Sequence, residues 1–491
     1  MKKDNDEAYD KFLIWLAQND FYISSKIQIT KNAVAGRGIV SSQTISPPEV
    51  LASFDKSFVL SPKNSYFSPL LSTLCYDAGV SGKTKTHSYA TQSDHLANVR
   101  LTLALLLEKS LGENSFWKPY LDTLDEVVIP DSILLWDDDR NRLKGTTVYE
   151  NSNNVLKIYY DQYKELVLPF FKKFKSLPIS CPSWLKYLQT CILTQSRCFY
   201  IDDYHQLSLV PFVDIFNHQS NPEVAFLQCS NFTGDSPGDD EPTDYSRCNF
   251  LLNAVIQQGY EIFNCFGSFC ADELLIQYGF LDPTCEIWQV DLERTLRSLF
   301  KEPFRQWKQY FDLKSLHDSH DEYCKLILRE SSNSSRNILS RHHKSLCIFK
   351  KYGPSFATFS FVCFLVYNSY MKSRTITTSH FPFSKFERSL WNLHIRNMSA
   401  KEPKLEQELI ALYADVLKTL HSIYEIRKSQ YGNGGLSASD YKFLLDNSSF
   451  EHESHSFIAI KVFHNELSVL ESELQRCIEI QSNLLKAIKE N

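Results

Sequence analysis

The 491-residue sequence has no Cys-x-x-Cys pair, no cysteine–histidine cluster at zinc-finger spacing, no apolar run of membrane-spanning length and no surplus of basic charge. Each gap removes a class of protein. Its thirteen cysteines are scattered: Cys191 and Cys198 lie seven apart and Cys265 and Cys270 five apart, and neither spacing is a metal or redox motif. They read as reduced thiols of the cytosol or nucleus, most of them core residues, and no metal site is expected. Lys and Arg number 52 against 58 Asp and Glu, a formal net charge of −6. Direct nucleic-acid binding, which normally needs a basic domain, is therefore not expected; a basic protein or peptide suits this charge better. The most apolar window, ATFSFVCFLVY (357–367), is about half a membrane span, so a buried helix or strand is expected there and no membrane partner. The opening MKKDNDEAYDKFLIWLAQND is too acidic, and its apolar stretch too short, for a signal or transit peptide.

What is present is an aromatic-rich globular chain. Aromatics make up 13% of the residues, material for packing and for lining narrow apolar channels. The length leaves room for about two to four domains. Residues 1–20 predict a short helix with Phe12, Leu13, Trp15 and Leu16 on one face. Residues 21–60 change to short apolar runs punctuated by Gly, Ser and Pro47-Pro48, which predicts β-structure with tight turns. Residues 61–195 read as a helical insert, with Ser93-Asp94-His95 as an N-cap and Gly112 closing a long helix. Strand-like texture returns over 196–285, interrupted at 230–247 by a Gly/Pro/Asp/Ser-rich stretch read as a solvated loop. From 290 to 491 helices dominate, with 404–428 and 457–489 joined by a flexible YGNGGLSASD.

Four stretches carry punctuation that packing alone does not explain. In AVAGRGIVSS (33–42), Gly36 and Gly38 flank Arg37 and allow close backbone approach; a β-turn accounts for them equally well. In SRCF (196–199), Arg197 could clamp a carboxylate or simply end a helix. VPFVDIFNHQS (210–220) is an apolar run that ends on Asn217 and His218, costly to bury without partners. GYEIFNCFGSFCADELLIQYGF (259–280) reads as a strand and a short helix, with Tyr278 a core aromatic on the plain reading.

Taken in order, GRG, a helical insert, SRxF, DxxNH, GxEIxxxFG and ELLxxYGF resemble the SET-domain protein-lysine methyltransferases of the plant Rubisco large-subunit methyltransferase type, a group that includes ribosomal-protein lysine methyltransferases. SFWKPYLDTLDE (115–126) and LKGTTVYE (143–150) are similar to phrases of that subfamily. The resemblance covers roughly 20–285 and, by helical texture, the region beyond. It implies an α+β fold: a SET-domain β fold split by a helical insert, followed by an all-helical C-terminal domain that holds substrate. It also implies S-adenosyl-L-methionine as cofactor. Asn217 and the backbone of His218 would bind it, Asp214 would support that segment, and Arg197 would face its carboxylate. The backbone at Gly36, Arg37 and Gly38 would cradle it from the other side. Phe199, Phe226 and Tyr278 would line the lysine channel.

The sequence departs from the family where the chemistry is done. The family's principal catalytic tyrosine falls at Phe266 here, and a second, more loosely aligned, at Phe226; only Tyr278 keeps its phenol. A missing hydroxyl removes about 0.5–1.5 kcal/mol of net hydrogen bonding and slows a reaction by about twofold to tenfold, more if a partner is stranded. The leading expectation is an S-adenosylmethionine-dependent protein-lysine N-methyltransferase acting on a basic ribosomal protein or translation factor, in cytoplasm or nucleus. The alternatives are a catalytically weak or inactive SET-fold binding module, and a relative that methylates histidine. Target protein, target lysine and number of methyl groups stay open.

Overall fold

The structure is a computed structural model, and it describes residues 6–75, 92–125, 127, 130–220, 222, 224–229, 246–313, 333–374, 383–398, 407–447 and 454–490. The chain forms two compact units. The first comprises 1–135, 153–267 and 275–284, and the second 136–152, 268–274 and 285–491. Residues 136–152, which sequence alone groups with the helical insert, thus belong with the C-terminal part. Most of the 230–247 stretch lies outside the described residues; only 246 and 247 fall within them.

In the first unit the helix Asp6–Gln18 buries Phe12, Trp15 and Leu16, whereas Leu13 is 37% exposed and leaves the predicted face. The strands follow the expected β texture: β1 (Tyr22–Ile23), β2 (Ile27–Ala33), β3 (Gly36–Ser41), β4 (Glu49–Asp55), β5 (Cys198–Tyr200), β6 (Leu207–Leu209), β7 (Ala225–Cys229) and β8 (Arg247–Leu252). One sheet runs in the order β1-β4-β8-β7, with β2-β3 and β5-β6 as separate antiparallel ribbons. In β8, Cys248, Phe250 and Leu252 alternate inward, the period of a half-buried strand. Phe250 meets Phe216 with ring centroids 4.5 Å apart, so this face of the sheet packs on the apolar run that leads to Asn217.

That run is neither a strand nor a long helix but a single 3-10 turn, Val213–Ile215. It is entered through Phe212 at φ +72°, a left-handed conformation unusual for a bulky residue. Phe212 is 2% exposed, and packing of its ring holds a backbone geometry that costs about 1–3 kcal/mol. Residues 259–266, expected as a strand, pair only through isolated bridges at Glu261 and Asn264. The insert is helical as predicted, in helices Gln92–Ser110, Lys118–Asp125, Thr147–Gln162, Leu168–Lys173 and Trp184–Gln195. Ser93 and Asp94 lie inside the first of these, not before it, while Gly112 at φ +54° closes it.

The second unit corrects the all-helical expectation. It contains a small antiparallel sheet of β9 (Gln289–Asp291), β10 (Cys347–Phe349) and β11 (Gly353–Pro354). Residues 357–367 lie in the buried helix Phe356–Arg374, and a further helix, Ala438–Asn447, separates Gln407–Ser429 from His455–Glu490. Residues 136–152 are anchored there by Glu466, whose buried carboxylate accepts the Thr147 and Val148 N–H groups and the Tyr431 hydroxyl. No helix among the described residues is long and apolar enough to cross a membrane.

Candidate active site

The Asn-His pair works as a staple between segments distant in sequence. The Asn217 amide donates to the Arg37 carbonyl at 3.1 Å and to Glu261 Oε1 at 2.6 Å. The other Glu261 oxygen accepts the Val34 N–H at 2.9 Å, so one carboxylate holds both the β2–β3 turn and Asn217. The Asn217 carbonyl accepts the Asn264 N–H at 2.8 Å, and Gln219 N–H donates to the Asn264 carbonyl at 3.0 Å. The polar residues that end the apolar run therefore have the partners their burial demands.

Glycine is required in this turn for two different reasons. At Gly36 the backbone has φ +89° with open space around it. At Gly38 a Cβ would come within 2.6 Å of Ala33 Cβ and Glu261 Oε1 and 2.8 Å of Asn217 Nδ2. The Arg37 side chain turns away, its guanidinium 3.6 Å over the ring of Tyr9 from the N-terminal helix.

His218 joins the staple to the aromatic residues. Its Nδ1 accepts the Phe266 N–H at 3.0 Å, which leaves Nε2 to carry the proton, 2.9 Å from Ser220 Oγ and 3.5 Å from Asp282 Oδ2. Burial lowers its pKa to about 4, against the opposing pull of Asp282, so the ring is neutral at pH 7. Asp282 is fixed in turn by the Ser220 N–H at 2.7 Å and by Thr284. Ring centroids separate His218 and Phe266 by 4.9 Å, Phe266 and Tyr278 by 5.2 Å, and Tyr278 and Phe280 by 6.1 Å. Tyr278 ends the helix Ala271–Tyr278.

Phe266 and Tyr278 also line a narrow recess with Ser196, Arg197, Cys198, Phe199 and Asp214, about 210 Å³ when the open solvent at its mouth is included. Arg197 does not point free into it as a carboxylate clamp: its guanidinium donates to the Asp214 carbonyl at 2.9 Å and to Asp214 Oδ2 at 3.2 Å. The same Oδ2 accepts the buried Tyr120 hydroxyl at 2.8 Å. Burial raises the Asp214 pKa, and Arg197 and Tyr120 pull it back. Asp214 Oδ1 and the Asn264 side-chain nitrogen are buried without a hydrogen-bond partner among the described residues.

Of the sequence-predicted residues, Gly36, Arg37, Gly38, Asn217 and His218 form one hydrogen-bonded group, and Arg197, Phe199, Asp214, Phe266 and Tyr278 form the cavity. Phe226 joins neither; it sits on β7 opposite Leu251. Sequence reasoning assigned no role to Tyr120, Glu261 or Asp282. Glu261 was visible as the acid of the GxEI stretch, but Tyr120 and Asp282 carry no local signal. The described residues also gather one set of metal-ligand types, buried Cys270, Glu273 and His342, where Arg341 donates to the Glu273 carboxylate and supplies its counter-charge.

No family model matches the chain. It is 34% identical over 475 residues, 96% of each chain, to the uncharacterized protein C16C6.01c of Schizosaccharomyces pombe. It is 29% identical over 290 residues to the N-lysine methyltransferase SETD6 of Mus musculus, an alignment that spans 56% of this chain and about half, 55%, of the mouse protein. Among solved structures, the SET domain of LSMT bound to lysine and AdoHcy superposes with a TM-score of 0.62 at 16% identity, covering 98% of this chain and 93% of that one. Rubisco LSMT bound to AdoMet gives 0.56 at 15% identity, covering 97% and 93%. These last two likenesses are of fold.

Proposed function

Because the chain belongs to the family of SET-domain lysine methyltransferases, we propose that it is an S-adenosylmethionine-dependent protein-lysine N-methyltransferase. The observation that carries the reading is the joint placement of the Asn217 staple and the aromatic cavity, linked by the hydrogen bond from Phe266 N–H to His218 Nδ1. The chain's own residues fit the cofactor. The Gly36–Gly38 turn brings bare backbone against Asn217, and the buried Asp214 Oδ1 and Asn264 nitrogen leave over an acceptor and a donor, as a zwitterionic amino-acid group requires. S-adenosylmethionine supplies an activated methyl on a sulfonium.

The protein's task is then positional. A lysine side chain enters between Phe199, Phe266 and Tyr278, and the apolar walls favour the uncharged amine over the ammonium. The Tyr278 phenol orients the amine for in-line attack. Phe266 contributes shape and dryness without a hydroxyl. Its room beside the amine leaves more than one methylation possible.

The acidic net charge supports a basic target, and a ribosomal protein or translation factor is the class we favour. Scattered thiols support a cytoplasmic or nuclear site of action. Calorimetry with S-adenosylmethionine, paired with transfer of its labelled methyl to a cell extract, tests the reading. Binding and lysine labelling by the native chain, both lost in Asn217→Ala, are expected; binding with no transfer would favour a binding module instead.

A further inference from the structure

The end of β7 and the start of β8 carry a pair of thiols that the methyl-transfer site does not use. Antiparallel register sets Cys229 directly opposite Cys248. Directly opposed residues share a face of the sheet, and their Cα separation of about 4.5 or 5.5 Å falls within the roughly 4.4–6.8 Å that a disulfide spans. The two sulfurs lie 2.6 Å apart, nearer to the ~2.05 Å of a bonded pair than to two separate thiols in contact. Cys229 is half-buried and Cys248 is buried.

The thiols also differ in acidity. The hydrogen bond from Cys248 lowers the pKa of Cys229, helped by the ammonium of Lys56, which is itself held by Asp202 at 2.9 Å. Cys248, which gives that hydrogen bond, is pushed up. The ammonium of Lys56 lowers both thiols and so favours a thiolate at this pair.

We propose that Cys229 and Cys248 are an oxidation site that closes an intrachain disulfide when a hydroperoxide reaches Cys229. The Cys229 thiolate attacks a peroxide oxygen; the S–O bond forms, the O–O bond breaks, and the departing hydroxide takes a proton to become water. The Cys248 sulfur then attacks the sulfenic sulfur. An S–S bond forms, the S–O bond breaks, and the Cys248 proton leaves with the hydroxyl as a second water. Two electrons pass from the thiol pair to the peroxide. The product ties the end of β7 to β8 and bridges the 18 residues between the two cysteines.

The test uses the native chain, fully reduced, treated with hydrogen peroxide and then alkylated and mapped without reductant. Trypsin cuts after Arg247, so the bridge holds together two otherwise separate peptides, and fragmentation assigns the sulfurs. Alkylation at Cys229 and Cys248 is expected to fall in parallel, at least tenfold, with the linked pair appearing and dithiothreitol reversing it. Cys229→Ser should leave Cys248 fully alkylated. Loss of Cys229 alone to higher oxides, a bridge to another cysteine, or no protection at either position would each overturn the proposal.

Discussion

Replacing Gly38 by alanine puts the staple to a quantitative test, because the structure supplies a control two residues away. The new methyl would sit 2.6 Å from Ala33 Cβ, 2.6 Å from Glu261 Oε1 and 2.8 Å from Asn217 Nδ2. Ala33 Cβ is fixed by the hairpin, so Glu261 and Asn217 must swing aside. That breaks their 2.6 Å bond and loosens the bonds to Arg37 O and Val34 N. Overpacking costs about 1–3 kcal/mol and a lost hydrogen bond to a charged group about 1.5–3 kcal/mol. A local penalty of about 3 kcal/mol is expected. Gly36→Ala meets no atom and bears only the strain of φ +89°, about 1–2 kcal/mol. Amide hydrogen exchange at Val34 and Asn264, whose N–H groups bond to Glu261 and to the Asn217 carbonyl, reads the difference locally. Faster exchange at both sites in Gly38→Ala than in Gly36→Ala, with S-adenosylmethionine affinity at least tenfold weaker, is the expected result. Equal exchange and equal affinity in the two variants would refute the account of Gly38 as a close-approach residue.

Other expectations follow from the same geometry. Tyr120→Phe leaves the buried Asp214 carboxylate held by Arg197 alone and should lower stability by about 1.5–3 kcal/mol in urea unfolding. Burial of His218 as the neutral ring depresses its pKa from 6.5 to about 4, so the unfolded chain binds a proton that the folded one refuses. Stability should therefore be unaffected above pH 6.5 and decline by about 3 kcal/mol as pH falls towards 4. His394, lowered to about 3 in the other unit, acts with the same sign, so the part due to His218 is the difference between the native chain and His218→Gln; parallel pH curves for the two would contradict it. Tyr278→Phe should slow methyl transfer by about twofold to tenfold or more without weakening cofactor binding, while Phe266→Tyr should speed it by a similar factor. An unchanged rate in both would remove the phenol from the mechanism.

The sequence exposes what is local and hides what is distant. The helix Asp6–Gln18, the β2–β3 turn and the helical insert follow from periodicity and glycine placement within a few residues. That Asn217 and His218, polar groups at the end of an apolar run, need partners was legible. Which partners they take was not legible. Asn217 meets Arg37 across 180 positions and Tyr120 meets Asp214 across 94, and no spacing rule reaches that far. The same gap explains Arg197, which suits a carboxylate clamp but is engaged by Asp214. It explains 259–266 too, whose alternation suggests a strand although its backbone bonds are spent on single bridges to several neighbours. The small sheet β9-β10-β11 escaped notice because strands of two or three residues among long helices carry too few residues to show a period.

The most direct test of the central claim is the identity of the methylated residue. The native chain, incubated with S-adenosylmethionine labelled in its methyl group and with a protein extract, would be followed by acid hydrolysis and amino-acid analysis. Label recovered as methyl-lysine, absent with Asn217→Ala and reduced with Tyr278→Phe, is the predicted result. Label in methyl-histidine, or none at all from a chain that still binds the cofactor, would contradict it.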